Sequence, residues 1–267
     1  MLGAIAGDII GSIYEFDDKK PDMDFELFKE ESYATDDTIM SVAIADHILY
    51  NKNIVDVVKE YGRKYPNAGY GSRFSNWILG TNSFPYNSYG NGSAMRVSPV
   101  GWSYSTLEET IKKAKDTAEI SHNHPEGIKG AQSVAGSIFL ARTGHTKSEI
   151  RKWNESTFGY NLDLDLVQLR QYYSFDETCQ GTVPQALFTF LESNSFEESL
   201  RLAMYIGGDS DTLTCINGAI AEAYYRDIPK HIYDEVIKRL DSNLRDVVIQ
   251  FRLKYVLPNL WKYAHLV

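Results

Sequence analysis

Residues 39–49 are apolar on nearly every side: Met40, Val42, Ala43, Ile44, Ala45 and Ile48 leave no face suited to water. A helix without a polar face has to be surrounded, so the rest of the chain must supply the helices that enclose it. Their signals are present. In Pro125–Arg142 the residues Ile128, Ala131, Ala135, Ile138 and Phe139 share one helical face, with Lys129, Gln132 and Ser133 elsewhere. From Ser210 onward Leu213, Ile216, Ile220 and Ala223 repeat the spacing, and Val236, Ile237, Leu240, Leu244, Val247, Val248 and Phe251 do so again. No series of alternating strands competes with them. The reading is an all-α, compact multi-helix bundle. With 43% hydrophobic residues the 267-residue chain can fill a sizeable core, and no linker, internal repeat or composition break divides it. A single domain over 1–267 is therefore expected.

The formal charge of −9 argues against nucleic acid or an anionic membrane surface as partner. A phosphorylated ligand would have to be held by backbone N–H groups at helix starts or by bound cations. Cys179 and Cys215 belong to no CxxC pair and read as buried thiols of an intracellular protein. The first residues lack a basic stretch and meet Asp8 almost at once, so no signal peptide is expected. With no apolar run of spanning length, the expected location is the cytoplasm.

Five segments carry chemistry. Thr35-Asp36-Asp37-Thr38 stands where an irregular acidic segment, residues 17–33, runs into the buried helix. Thr35 suits an N-cap and the acids suit the helix dipole. Adjacent carboxylates at a buried helix start also repel and lose hydration unless a cation compensates them. Gly207-Gly208-Asp209-Ser210-Asp211-Thr212 feeds a second apolar helix and allows either a plain capped turn or a tight ligand loop. Together the two motifs offer four carboxylates and two threonines with no adjacent His or Cys. Such oxygen-only donors select Mg²⁺ or Mn²⁺ over Zn²⁺. Bridging carboxylates could hold two ions ~3.5–4 Å apart.

Tyr89-Gly90-Asn91-Gly92-Ser93-Ala94-Met95-Arg96 is either an anion nest or an ordinary glycine turn. Ser121-His122-Asn123-His124-Pro125 precedes a helix, where histidines more often cap and hydrogen-bond than bind zinc. In Gly7-Asp8-Ile9-Ile10-Gly11 with Glu15, the two acids lie seven apart and would share a face of one apolar helix. A buried acid there needs a partner. Residues 67–99, rich in Gly, Asn, Ser and aromatic side chains, read as a long irregular functional segment.

In this order the five segments closely resemble the ADP-ribosylglycohydrolase family, which includes ADP-ribosyl-arginine hydrolases and the dinitrogen-reductase-activating glycohydrolases. The resemblance implies an all-helical fold with a binuclear Mg²⁺ or Mn²⁺ site at one end. It implies Thr35, Asp36 and Asp37 as metal ligands from one side and Asp209, Asp211 and Thr212 from the other. Glu15 matches a family acid near the metals, implicated in gating or catalysis. The segment Gly90, Asn91, Gly92, Ser93, Ala94, Met95, Arg96 matches the loop that wraps the diphosphate and distal ribose, and His122 a histidine at the ligand. His124 belongs to a subset of members. The implied reaction is hydrolysis at the anomeric carbon of the distal ribose, through an oxocarbenium-like state. The expected substrate is an ADP-ribosylated protein or small ADP-ribosyl conjugate, of arginine type first. Glu15, Asp36 and Asp211 are the candidate catalytic groups, with Glu15 or a metal-bound carboxylate moving the proton. The competing readings are a metal-dependent nucleotide phosphohydrolase, an ADP-ribose-binding module without turnover, and a structural relative akin to the family's lens proteins.

Overall fold

The computed structural model of the protein describes residues 1–16 and 20–262. Its helices are α1 (Leu2–Gly11), α2 (Asp36–Tyr50), α3 (Ile54–Lys64), α4 (Ser72–Leu79), α5 (Gly92–Met95), α6 (Ser98–Ser103), α7 (Leu107–Ala118) and α8 (Pro125–Arg142). They continue with α9 (Lys147–Phe158), α10 (Leu166–Tyr172), α11 (Cys179–Glu192), α12 (Phe196–Ile206), α13 (Ser210–Tyr225), α14 (Lys230–Arg239), α15 (Ser242–Phe251) and, after a π-helical turn, α16 (Leu257–Lys262). The fold is all-α. Among the described residues the nearest thing to a sheet is one antiparallel bridge between Gly90 and Thr178. No helix of the described residues is long and apolar enough to cross a membrane.

The centre is a pair of helices more deeply enclosed than the sequence pattern suggests. Every residue of α1 is buried, as is α13 from Ser210 to Ala223. Gly3, Gly7 and Gly11 fall on one face of α1, four residues apart. A methyl group there would lie 2.2 Å from Gly218 O, 2.0 Å from Thr214 O or 2.4 Å from the Asp211 Cα. The two backbones therefore touch, and glycine is what permits it. The helix 36–50 is buried from Asp37 to Asp46, as its apolar periphery requires.

Three expectations need correction. Asp8 and Glu15 do not share a helix, because α1 ends at Gly11 and residues 12–16 turn away. Ser12 makes that end: its hydroxyl donates to Ile9 O (2.9 Å) and accepts from Tyr33 N (3.2 Å). The segment 67–99 is not wholly irregular, since α4 forms inside it. Phe74, Trp77 and Ile78, spaced i, i+3, i+4, bury one face of this helix, with the Phe74 and Trp77 rings stacked 5.6 Å apart. The periodic run from Val236 to Phe251 breaks in two, because Leu240 is extended and the Asp241 carboxylate caps a new helix by accepting from Leu244 N (3.0 Å). Residues 17–19 of the expected acidic loop lie outside the described residues; residues 20–33 are non-helical as expected.

Candidate active site

Four helix starts point at one cleft. Asp36 opens α2, His122 precedes the His124 cap of α8, Thr178 caps α11 and Asp209 opens α13; all but His124 line a cavity of about 510 Å³. The partial positive charge of helix N-termini is thereby concentrated on a site rich in carboxylates.

The floor is built by Asp8, an acid the sequence reading left without a partner. Asp8 comes from the buried middle of α1 and accepts from Thr35 N (3.0 Å), Thr35 Oγ1 (2.6 Å), Thr38 N (3.1 Å) and Thr38 Oγ1. It therefore fixes the start of α2 against α1. Thr35 also caps Asp37 N at 3.4 Å and lies 3.5 Å from Asp211 Oδ2. Across the cleft Thr212 Oγ1 donates to Asp37 Oδ2 (3.2 Å), and Asn91 Nδ2 donates to Asp209 Oδ2 (2.6 Å). Ser210 Oγ donates to Gly11 O (3.0 Å), which sets the first turn of α13 on the end of α1.

Two carboxylate triads result. Asp8, Asp37 and Asp211 offer oxygen atoms within 4.8 Å of one another, and so do Glu15, Asp209 and Asp211. Asp211 is common to both. Asp36 belongs to neither; it is half-buried and faces the cleft, with its N–H donated to Ala68 O at 2.8 Å. Thr35 and Asp37 lie beneath the cleft surface, whereas Glu15, Asp209, Asp211 and Thr212 line it.

None of these six carboxylates forms a salt bridge among the described residues. Burial first, and the negative neighbours second, push Asp8 up to about 7 and Glu15 to about 8; Asp36, Asp37 and Asp209 are raised well above the ordinary range. Burial raises Asp211 as well. Asp37 Oδ1 is buried without any hydrogen-bond partner. A buried carboxylate oxygen with no donor, inside an all-oxygen cluster with no cationic side chain, fits a divalent hard cation.

The other end of the cleft is aromatic. Gly90, Asn91, Gly92, Met95 and Arg96 line it, and the 90–96 segment is a turn leading into the short helix α5. Ser93 and Ala94 do not line it: Ser93 is buried and donates to Gly127 O (2.7 Å), and Ala94 packs in the core. His122 lies between Phe74 (6.1 Å, edge-on) and Tyr86 (6.0 Å). Burial, then the nearby Arg96 charge, keeps its imidazole well below the usual pKa. His124 is a cap, accepting from Glu126 N at 3.1 Å, as the capping reading of this motif has it.

At the mouth, Phe16 and Phe175 place their rings 5.8 Å apart from opposite sides. Behind them a reciprocal clasp closes the frame. Lys20 Nζ donates to the carbonyls of Leu169, Arg170 and Tyr173, while Arg170 donates to those of Lys20, Pro21 and Tyr205. The Lys20 stem lies over Gly207 and the Tyr173 ring over Gly208, both at positive φ, so the turn presenting Asp209 is covered by the clasp. No local sequence pattern announces this arrangement.

An all-helical protein with an oxygen-only acidic centre under a cleft that turns aromatic at its far end is the class that fold and site define. The chain belongs to the ADP-ribosylglycohydrolase family, whose profile matches residues 1–256. It is 26% identical to the ADP-ribosylhydrolase ARH3 of Mus musculus over 84% of this chain and 82% of that one. It is likewise 26% identical to ADP-ribosylhydrolase ARH3 of Homo sapiens, over 84% of each chain. A solved "ADP-ribosylglycohydrolase-related protein complex" shares the fold, with a TM-score of 0.67 at 21% identity over 94% of this chain and 95% of that one. Family and relatives alike are glycohydrolases of ADP-ribosyl groups.

Proposed function

We propose that this protein hydrolyses the bond at the anomeric carbon of the distal ribose in ADP-ribosyl conjugates, releasing ADP-ribose, in a reaction that depends on two Mg²⁺ or Mn²⁺ ions. The observation that carries the reading is the pair of carboxylate triads sharing Asp211, with the unpartnered Asp37 Oδ1 beside them. Thr35, Asp36, Asp37, Asp209, Asp211 and Thr212 would hold the ions, and Asp8 would orient Thr35 by accepting its hydroxyl proton. When bound, such ions compensate the carboxylates, orient ribose hydroxyls and supply Lewis acidity for a hydrolytic water.

The chain's own residues do the rest. Asp36 and Asp211, which line the cleft, would hold the distal ribose against the centre. Glu15, half-buried on the cleft wall, would pass a proton at the leaving atom through its carboxyl oxygen. Gly90 and Gly92, with no Cβ of their own, suit close approach of a diphosphate, while the N–H groups of Gly90 and Asn91 already donate to Ser88 Oγ (3.2 Å) and Glu177 O (2.8 Å). Phe74, Tyr86 and His122 give a planar base apolar neighbours. The relatives' name, ADP-ribosylhydrolase, specifies no acceptor, so the arginine conjugate expected from sequence is one member of the substrate set and not its definition.

The test is a panel of ADP-ribosyl-arginine, ADP-ribosyl-serine and O-acetyl-ADP-ribose, assayed with Mg²⁺, with Mn²⁺ and with chelator, using Asp211→Asn as control. ADP-ribose release that requires both metal and Asp211 supports the reading. Free phosphate from nucleotides with no ADP-ribose released from any conjugate would sink it.

A further inference from the structure

Arg96 ends the loop that the resemblance matches to the diphosphate and distal ribose, yet its side chain is wholly buried. Its Nη2 donates to Thr117 O (3.0 Å) and Ser121 Oγ (2.9 Å), and its guanidinium lies 5.6 Å from the Phe74 ring centre. The same Ser121 hydroxyl lies 2.8 Å from His122 Nδ1. Ser121 is fully buried, so its single O–H hydrogen needs an acceptor within the protein. An arginine N–H cannot be one, because guanidinium has donors only. The remaining neighbour is His122 Nδ1. If Nδ1 carried the proton, the serine hydrogen would be stranded.

We infer that Arg96 and Ser121 form a relay fixing His122 in the neutral tautomer protonated on Nε2, so that the histidine presents a hydrogen-bond donor to the glycine loop of the cleft. Nε2 is aimed there: a methyl group on Gly92 would sit 3.0 Å from it, and one on Gly90 3.7 Å. Phe74 and Tyr86 flank the imidazole and hold its plane. Buried beside the Arg96 charge, the ring favours its neutral form. Arg96 and Ser121 are thus positioning residues acting through His122. The recognised chemistry is an acceptor oxygen or ring nitrogen of the ligand, lying near Gly90 and Gly92 within reach of Nε2. This ligand half of the inference rests on the functional reading given above; the tautomer half does not.

Nitrogen-15 NMR of histidine-labelled protein decides the tautomer, with the His122 signals assigned by their loss in His122→Gln. The wild type is expected to show a neutral ring protonated on Nε2 at pH 7. Ser121→Ala should give a tautomer mixture and weaken ADP-ribose binding by roughly 3- to 10-fold, with kcat changed less than KM. Ser121→Thr, which keeps the hydroxyl, should restore the wild-type spectrum. His122→Gln keeps a donor near the Nε2 position and should bind ADP-ribose better than His122→Leu. A ring protonated on Nδ1, or an imidazolium at pH 7, would overturn the relay whatever the variants do. So would an unchanged tautomer and affinity in Ser121→Ala. Failure of the wild type to bind ADP-ribose would overturn the functional reading and the ligand half with it, leaving the tautomer to the spectrum.

Discussion

The two ends of the cleft solve opposite electrostatic problems. At the acidic end six carboxylates gather with no salt bridge among the described residues, and one buried oxygen has no donor at all. At the aromatic end a single buried cation, Arg96, donates through Nη2 to a carbonyl and a hydroxyl and lies near a ring face, and burial with that charge holds the histidine beside it well below its usual pKa. The first end is held by helix register and by hydroxyl, amide and backbone donors, and its like charges repel. The second is held by side-chain contacts around one cation, whose Nε and Nη1 are buried without a hydrogen-bond partner. Binding energy at the acidic end should therefore come with a large gain in protein stability, and at the aromatic end with little.

The largest test of that contrast is Asp211→Asn, which touches both triads. Activity should fall by about three orders of magnitude, while the metal-free protein should gain thermal stability as repulsion is relieved. A fall in both would mean that the cluster is a structural network. Gly7→Ala comes next. Its methyl would lie 2.0 Å from Thr214 O, so α1 and α13 must part. Stability should drop by about 3 kcal/mol or more in denaturant unfolding, and metal affinity should drop with it. A variant as stable as the wild type would show that the helix register is not what holds the acidic end.

A pH series sharpens the comparison. Asp8 is raised from 3.8 to about 7 and Glu15 from 4.5 to about 8, so the folded protein keeps protons there that the unfolded chain has released. With more protons bound in the folded state, stability falls as pH rises across that interval. The metal-free melting temperature should drop by roughly 5 °C between pH 5 and pH 8, and saturating Mn²⁺ should abolish the drop. A metal-free melting curve flat across that range would contradict the repulsion argument. The smallest effect is expected for Asn91→Ala, which removes a donor from Asp209 and from Thr182 Oγ1. Catalysis should fall roughly tenfold with melting nearly unchanged, because Asn91 steadies the acidic end from the loop of the other.

Much of this was legible in the sequence, and the illegible part has physical reasons. Helical periodicity marks α8 to the residue and the buried character of α2, because burial leaves its trace along one segment. The motifs at Thr35 and Asp209 are found where expected, since caps and acids at helix starts are local signals. Asp8 is expected with Glu15 on one face of an apolar helix, and nothing local tells that Thr35 and Thr38 donate to it. The stripe of Gly3, Gly7 and Gly11 acquires meaning only from the carbonyls of a helix far along the chain. Ser93 turns inward to Gly127 O and Arg96 to Thr117 O and Ser121 Oγ, because a motif shows which residues belong to a ligand loop, not which side chains turn inward. The break at Leu240 was hidden because α14 and α15 continue the same apolar spacing across it.

The contact of α1 with α13 also orders events in time. Gly11 and Ser210, joined by a hydrogen bond, are 199 residues apart in sequence. A contact of such span waits until most intervening chain has condensed, because closing a long loop costs entropy before it returns any contact. Until then Asp8 and Asp211 are strangers, and the carboxylate triads that could hold a metal ion do not exist. Competence to bind metal would thus arrive as a late signature of correct assembly, and metal uptake during refolding would report on the fold itself.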